Sequence, residues 1–222
     1  MLAGEAAVAI WNGIAPEGRD EFYAWHLHEH MAERVGIPGF RRGRRYVAAD
    51  EATRPEFFTL YEAETMGVLQ GQDYANRLNA PTEWTRRVTR HFRDTSRGIT
   101  RVVESRGVGP GGTVLTLRFN AAPEAEGAMV AAVRDAADAP RVTGVHLLIA
   151  DAAASGTGTA ESQGRDDIGA PPSWIILAEA TDTAALTELL PHELLRSRGA
   201  EGAVRRGLYR LEFQRLRTPW GC

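Results

Sequence analysis

Three of the six histidines of this 222-residue chain fall within five positions, in Trp25-His26-Leu27-His28-Glu29-His30-Met31-Ala32-Glu33-Arg34. Imidazole titrates near neutral pH, so a histidine set among carboxylates is common equipment for moving a proton. Read as a regular helix, at about 100° per residue, the stretch puts Ala24, Leu27, Met31 and Val35 on an apolar stripe, with Trp25 and Ala32 at its edge. His26, Glu29, His30 and Glu33 share the opposite face, which is either a reactive surface or a solvated one. His28 falls inside the apolar stripe and reads as a core histidine with satisfied ring nitrogens. His30 is then the candidate general base, and Glu29 or Glu33 the group that orients its ring. His26 and His30 stand at i,i+4, a spacing two metal ligands can use. The H-E-x-x-H order is absent and no third ligand is evident, so no metal site is expected.

Arg41, Arg42, Arg44 and Arg45 crowd around Gly43, with side chains alternating between the two faces of a strand. They read either as exposed edge arginines or, for a buried Arg44 or Arg45, as a planar fork that would hold a carboxylate or an enolate. Tyr46, Tyr61, Tyr74, Trp84 and His91 are candidates for the wall of a pocket suited to a flat aromatic substrate, core packing being the alternative for each. The expected substrate-binding set is His26, Arg45, Tyr46, Trp84 and His91.

Composition narrows the chemistry. All 26 basic residues are arginine, which excludes Schiff-base lysines, pyridoxal-phosphate anchoring and a Walker A loop. A formal charge of -3 with no long block of either sign suggests neither a nucleic-acid nor a membrane partner. The single cysteine, Cys222, allows no internal disulfide and no thiolate cluster. No G-x-S-x-G surrounds a serine, and no G-x-G-x-x-G follows a strand and opens a helix. The first ten residues lack a basic segment followed by a long apolar run, so a cytoplasmic protein is expected.

The elements that must position these residues are written twice in the chain. Strand 6–11, helix 19–35, strands 40–49 and 56–64, helical segments 65–78 and 82–89 and strand 98–104 give β-α-β-β-α-β. After the glycine-rich stretch 107–112 the order recurs as strand 113–119, helix 124–137, strands 142–150 and 173–180, helix 183–195 and strand 204–216. Pro16-Glu17 matches Pro123-Glu124, Gly43 and Asp50 match Gly144 and Asp151, Glu62-Ala63 matches Glu179-Ala180, and Arg101 matches Arg210. One such unit makes an antiparallel sheet with helices on one face and the other face uncovered. The predicted fold is therefore α+β: two fused ferredoxin-like repeats, 1–106 and 112–218, forming an intrachain dimeric α+β barrel. His26, Glu29, His30 and Glu33 fall opposite Val133, Ala136, Ala137 and Pro140, so the second copy is degenerate and the site belongs to the first. His146 falls opposite Arg45, and the two could meet inside the barrel. Segment 152–172, rich in Ala, Gly, Ser and Thr, reads as a surface insertion or as a lid.

The pattern Trp25-x-x-x-Glu29-His30-x-x-Glu33-Arg34, followed by Ile37-Pro38-Gly39-Phe40 and Arg45-Tyr46, resembles that of EthD-like proteins of the dimeric α+β barrel superfamily, over residues 5–105. That superfamily includes cofactor-free polyketide dehydratases and cyclases, muconolactone isomerases, small monooxygenases and haem-degrading enzymes, so the resemblance implies fold more closely than reaction. By the motif, the family's cleft histidine carries over to His30. The implied protein is a small, cofactor-independent enzyme of lyase or isomerase type that isomerises, dehydrates or cyclises a hydrophobic carbonyl or aromatic metabolite. In it His30 is the base, and Arg45 or Tyr46 holds the enolate. The alternatives are a haem-binding or oxygen-using monooxygenase-like member and a non-catalytic ligand-binding or stress-response barrel. The implied partner is a small molecule, and the chain a monomer or homodimer.

Overall fold

The computed structural model describes residues 1–218; Cys222, and with it the expectation about disulfides, lies outside them. Eight strands carry the molecule: β1 (Ala6–Ile14), β2 (Phe40–Ala48), β3 (Phe57–Ala63), β4 (Phe92–Gly107), β5 (Thr113–Ala121), β6 (Val142–Ala150), β7 (Trp174–Ala180) and β8 (Ala200–Leu216). They close into one antiparallel barrel in the order β1-β3-β2-β8-β5-β7-β6-β4. Each half supplies a four-stranded sheet. The two sheets cover each other and are also stitched edge to edge along β2–β8 and β4–β6, so among the described residues the barrel has no open sheet edge. This is the dimeric α+β barrel made within one polypeptide.

Burial on two sides explains the strand compositions. Every residue of β3 (FFTLYEA) and of β7 (WIILAEA) is buried, because alternate side chains enter the barrel while their neighbours meet the helix layer. Ala7, Ala9, Trp11, Phe58, Leu60, Val114, Ile175, Leu177 and Tyr209 form the barrel's inner core, drawn from both halves. The pseudo-symmetry extends to irregularities. Bulges interrupt the ladders between Trp11 and Gly13 and between Arg118 and Asn120, and again between Phe40 and Arg42 and between Val142 and Gly144. Because Arg42 faces Glu62 where Gly144 faces Glu179, the counterpart of His146 is Arg44, one residue from the expected Arg45.

The helices depart further from expectation. The first is interrupted: α1 (Arg19–Trp25) runs into a π turn at His26–His30 and resumes as α2 (Met31–Gly36). Segment 65–78 splits at Gln70-Gly71 into α3 (Met66–Leu69) and α4 (Gln72–Asn79), followed by α5 (Glu83–Thr89). In the second half α6 (Glu126–Ala137) is regular and α7 (Ala152–Gly156) opens the insertion. The expected helix 183–195 is only a 3-10 turn at Ala184–Leu186 and the short α8 (His192–Ser197). Pro191 has no N–H to continue a helix, and Arg206 takes over the freed carbonyls of Thr187 and Leu189, at 2.8 and 3.0 Å. Among the described residues no helix is long and apolar enough to cross a membrane.

Candidate functional site

The π turn decides which side chains face the protein. The Met31 N–H donates to the His26 carbonyl, five residues back, so one extra residue is accommodated and everything after it is rotated relative to a straight helix. His26 and His30 turn inward, at 3% and 6% exposure, while Leu27, 37% exposed, and His28 face solvent. The regular-helix expectation is thus corrected at both ends: His28 is not in the core, and the histidine face is not the outer one. Gly43 lets α2 sit close, since a Cβ there would lie 2.2 Å from the Met31 sulfur.

His30 stacks on Trp25, ring centroids 4.2 Å apart, and meets the edge of Tyr61 at 6.1 Å. With Arg34, Tyr61, Tyr74 and Arg97 it lines a cavity of about 280 Å³ between the helix layer and the outer face of the sheet. Three buried polar groups of these lining residues have no hydrogen-bond partner among the described residues: His30 Nδ1, Arg34 Nη1 and the Tyr61 hydroxyl. Burial first, then Arg34, His26 and Arg77, holds the His30 imidazole well below its ordinary range, so it is neutral at pH 7. Burial likewise pushes the Tyr61 phenol up and keeps it a neutral donor. A neutral base therefore shares a pocket with a fixed cation and a hydroxyl.

The other expected site residues are placed elsewhere. The Glu29 carboxylate is bonded away from His30. It accepts from Thr82 Oγ1 at 2.6 Å and Thr85 Oγ1 at 3.3 Å, and Thr85 Oγ1 accepts from Trp25 Nε1 at 3.1 Å, so Glu29 braces the indole on which His30 rests. Glu33 pairs with Arg77 at 3.2 Å. His26 packs among Phe22, Trp25 and His30. Arg45 points to the helix layer, bonded to Glu212 Oε2 at 3.0 Å and lying 4.8 Å from the Tyr23 ring centroid. Trp84 packs beside Phe22 and Val88, and His91 fits against Gly18, where any Cβ would collide with its ring. None of these six lines the His30 cavity.

Tyr46 and Arg44 instead enter the barrel. Arg42 Nε and Arg44 Nε both donate to Glu62 Oε1, at 2.8 and 3.0 Å, and Arg44 Nη1 donates to Glu179 Oε2 at 2.7 Å. Glu179 also meets His146 Nε2 at 3.2 Å and lies at about 2, its acid form disfavoured by His146 and Arg44 despite burial. Buried carboxylates occupy the arginine fork that the enolate reading assigned to substrate. It joins the halves.

Arg34 and the insertion carry roles that residue spacing did not assign. Arg34 stands at i,i+4 from His30, the available signal for a shared face. Segment 155–171, from the second half, roofs the cavity of the first. Glu161 pairs with Arg34, Ser155 Oγ accepts from the Ile99 N–H at 2.9 Å, and Thr95 exchanges backbone hydrogen bonds with Asp167 and Gly169, both 2.8 Å. Arg165 and Asp167 clamp this contact through Thr95 Oγ1. No group of three His, Cys, Asp or Glu among the described residues could hold a metal ion.

No protein-family model matches the sequence, and no curated protein matches it. Solved structures do. An anthrone oxidase-like protein aligns over 95% of this chain and 92% of its own, at a TM-score of 0.61 and 11% identity. A Lactobacillus acidophilus protein whose name proposes a monooxygenase aligns over 96% of both chains, at 0.57 and 9%. A chlorite dismutase of Candidatus Nitrospira defluvii aligns over 93% of this chain and 92% of its own, at 0.50 and 10%. At such identities the likeness is one of fold.

Proposed function

We propose that the protein is an enzyme that removes a proton beside the carbonyl of a small, hydrophobic aromatic compound, with His30 as base. The observation that carries this reading is that His30, Arg34 and Tyr61, each with a buried polar atom lacking a partner among the described residues, line one roofed cavity. His30 takes the proton, the electron pair moves onto the carbonyl oxygen, and Arg34 and Tyr61 donate to the resulting enolate. Returning the proton to another carbon isomerises the substrate; loss of a β-hydroxyl dehydrates it. Trp25 and Tyr74 supply flat apolar walls. The EthD-like resemblance over residues 5–105 supports the same assignment of His30.

A second reading, oxidation, is favoured by the name of the anthrone oxidase-like neighbour. The protein's task in it is the same proton removal, with dioxygen meeting the anion. A haem fits less well. The cavity, about 280 Å³, lies at or below the roughly 300–1,000 Å³ of pockets for drug-sized ligands, and a porphyrin is larger than most of these. One face of His30 is already covered by Trp25.

The test is deuterium uptake in D2O. Wild-type protein should accelerate exchange at the carbon beside the carbonyl of anthrone or a tetralone. His30→Gln, which keeps the volume, should lower that rate about 10²–10⁴-fold. Exchange equally fast in the variant sinks the reading, whereas ligand binding without exchange indicates a non-catalytic barrel. Oxygen consumption during turnover separates oxidation from isomerisation.

A further inference from the structure

A second cleft, of about 380 Å³, lies on the other side of the 165–171 strap; it shares Thr95, Gly169 and Pro171 with the His30 cavity but none of His30, Arg34, Tyr61 or Tyr74. Its floor is Arg118, the counterpart of Trp11 in the pseudo-symmetric barrel, and the two stack on each other with the guanidinium 4.5 Å from the indole centroid. Arg118 is 6% exposed, and its buried Nε has no hydrogen-bond partner among the described residues. Its one contact to an acceptor is long, Nη2 to the Arg54 carbonyl at 3.4 Å. Among the described residues no carboxylate pairs with it, although the other buried arginines, Arg34, Arg42, Arg44 and Arg45, each have one. Burial without a counter-ion lowers its pKa to about 10. An arginine so placed retains an uncompensated charge on the lining of a cleft.

We propose that this cleft is a binding site for a small organic carboxylate, held by the Arg118 guanidinium with its apolar body against Pro171, Pro172 and Ala203. The charges around the cleft favour a monoanion over a phosphate dianion. Arg205 adds one positive charge at the wall, but Asp94 and Asp167 also face the cleft, Asp167 being held by Arg165 and Thr95. A planar carboxylate can accept two parallel hydrogen bonds from the N–H groups of a guanidinium. The site is independent of the reading of His30.

Isothermal titration calorimetry of the full chain tests it, with benzoate and acetate as probes, benzamide as the uncharged analogue and inorganic phosphate as the competing anion class. Benzoate should bind at least tenfold more tightly than benzamide or phosphate. Arg118→Met should weaken it tenfold or more. Ala203→Trp, which fills the mouth at an exposed residue without touching the arginine, should do the same and carries the test if Arg118→Met does not fold. The proposal is overturned if neither carboxylate binds, if phosphate binds more tightly than benzoate, or if benzoate binding survives Ala203→Trp. Binding that survives Arg118→Met but is lost in Arg34→Met would place the anion in the His30 cavity and overturn it equally.

Discussion

The two halves share a backbone plan and differ in what fills the space between helix and sheet. In the second half α6 is regular, and Met129, Ala132, Val133 and Ala136 close against Leu115, Leu117, Phe119 and Val145 in a continuous apolar core. In the first half the π turn adds a residue, the match to His30 shifts from Ala137 to the buried Ala136, and histidine, tryptophan and arginine surround a cavity. The hairpin loops diverge as well. Asp50 and Asp151 begin them alike, each accepting from the N–H three residues on, at 2.8 and 2.9 Å. The first then turns back within a few residues, while the second continues into the segment that roofs the other half's cavity. The second half is thus packed where the first opens a pocket, and it supplies that pocket's cover.

The sharpest way to break this picture is to cut what joins the halves. Arg44 bridges Glu62 of the first half to Glu179 of the second, all fully buried. Arg44→Met leaves Glu62 to Arg42 and deprives Glu179 of its only arginine partner among the described residues, and a loss of about 3–5 kcal/mol is expected in urea unfolding. A loss below about 1 kcal/mol would mean that the seams alone hold the barrel shut.

Acid should act on both halves. His26, His30 and His146 are all held below their ordinary value, burial being the leading cause. As pH falls below about 6.5 the unfolded chain takes up protons that the folded chain refuses, so stability declines, by up to about 1.4 kcal/mol per pH unit for each group. Glu179, at about 2 when folded, adds a further decline below its ordinary 4.5. Urea midpoints at pH 7.5, 6 and 5 check the first window; a flat profile there would mean that the imidazoles protonate in place. By the same sign, proton abstraction by His30 should persist at pH 6.

The roof is a smaller matter. Glu161→Gln removes the carboxylate that pairs with Arg34, itself 4% exposed, and should cost about 1–3 kcal/mol. Hydrogen exchange should quicken at the Thr95, Glu161 and Gly169 amides, which bond across the roof, and remain unchanged in α6. Unchanged protection at those three amides would show that the Arg165–Asp167–Thr95 clamp suffices.

Much of the scaffold was legible because strands buried on two sides leave long apolar runs, and because the copies repeat Glu62 and Glu179 at matching places, although Gly43 and Gly144 prove to be one residue out of register. The reactive stretch was legible as a cluster but not in its phase. A 3.6-residue period assigns Leu27 and His28 to the core, and only the Met31-to-His26 hydrogen bond reverses them. Glu29 and Glu33 looked like partners of His30 because they sit within one turn of it, yet long-range contacts to Thr82 and Arg77 claimed them. The pairing of Glu161 with Arg34, residues far apart in sequence, leaves no local signal at all.

The finest test separates neighbouring histidines. His26 is buried against Phe22, Trp25 and His30, so His26→Ala opens a hole in an aromatic cluster and should cost about 2–4 kcal/mol. His28 projects into solvent two residues later, and His28→Ala should stay within about 0.5 kcal/mol. A regular helix would reverse this ranking, since it puts position 28 on the apolar stripe and position 26 opposite. The two variants change the same atoms in the same turn of the same helix, which cancels differences in side-chain chemistry and in the unfolded chain. What remains is the phase of the helix. A larger loss at position 28 than at 26 would remove the π turn, and with it the inward aim of His30.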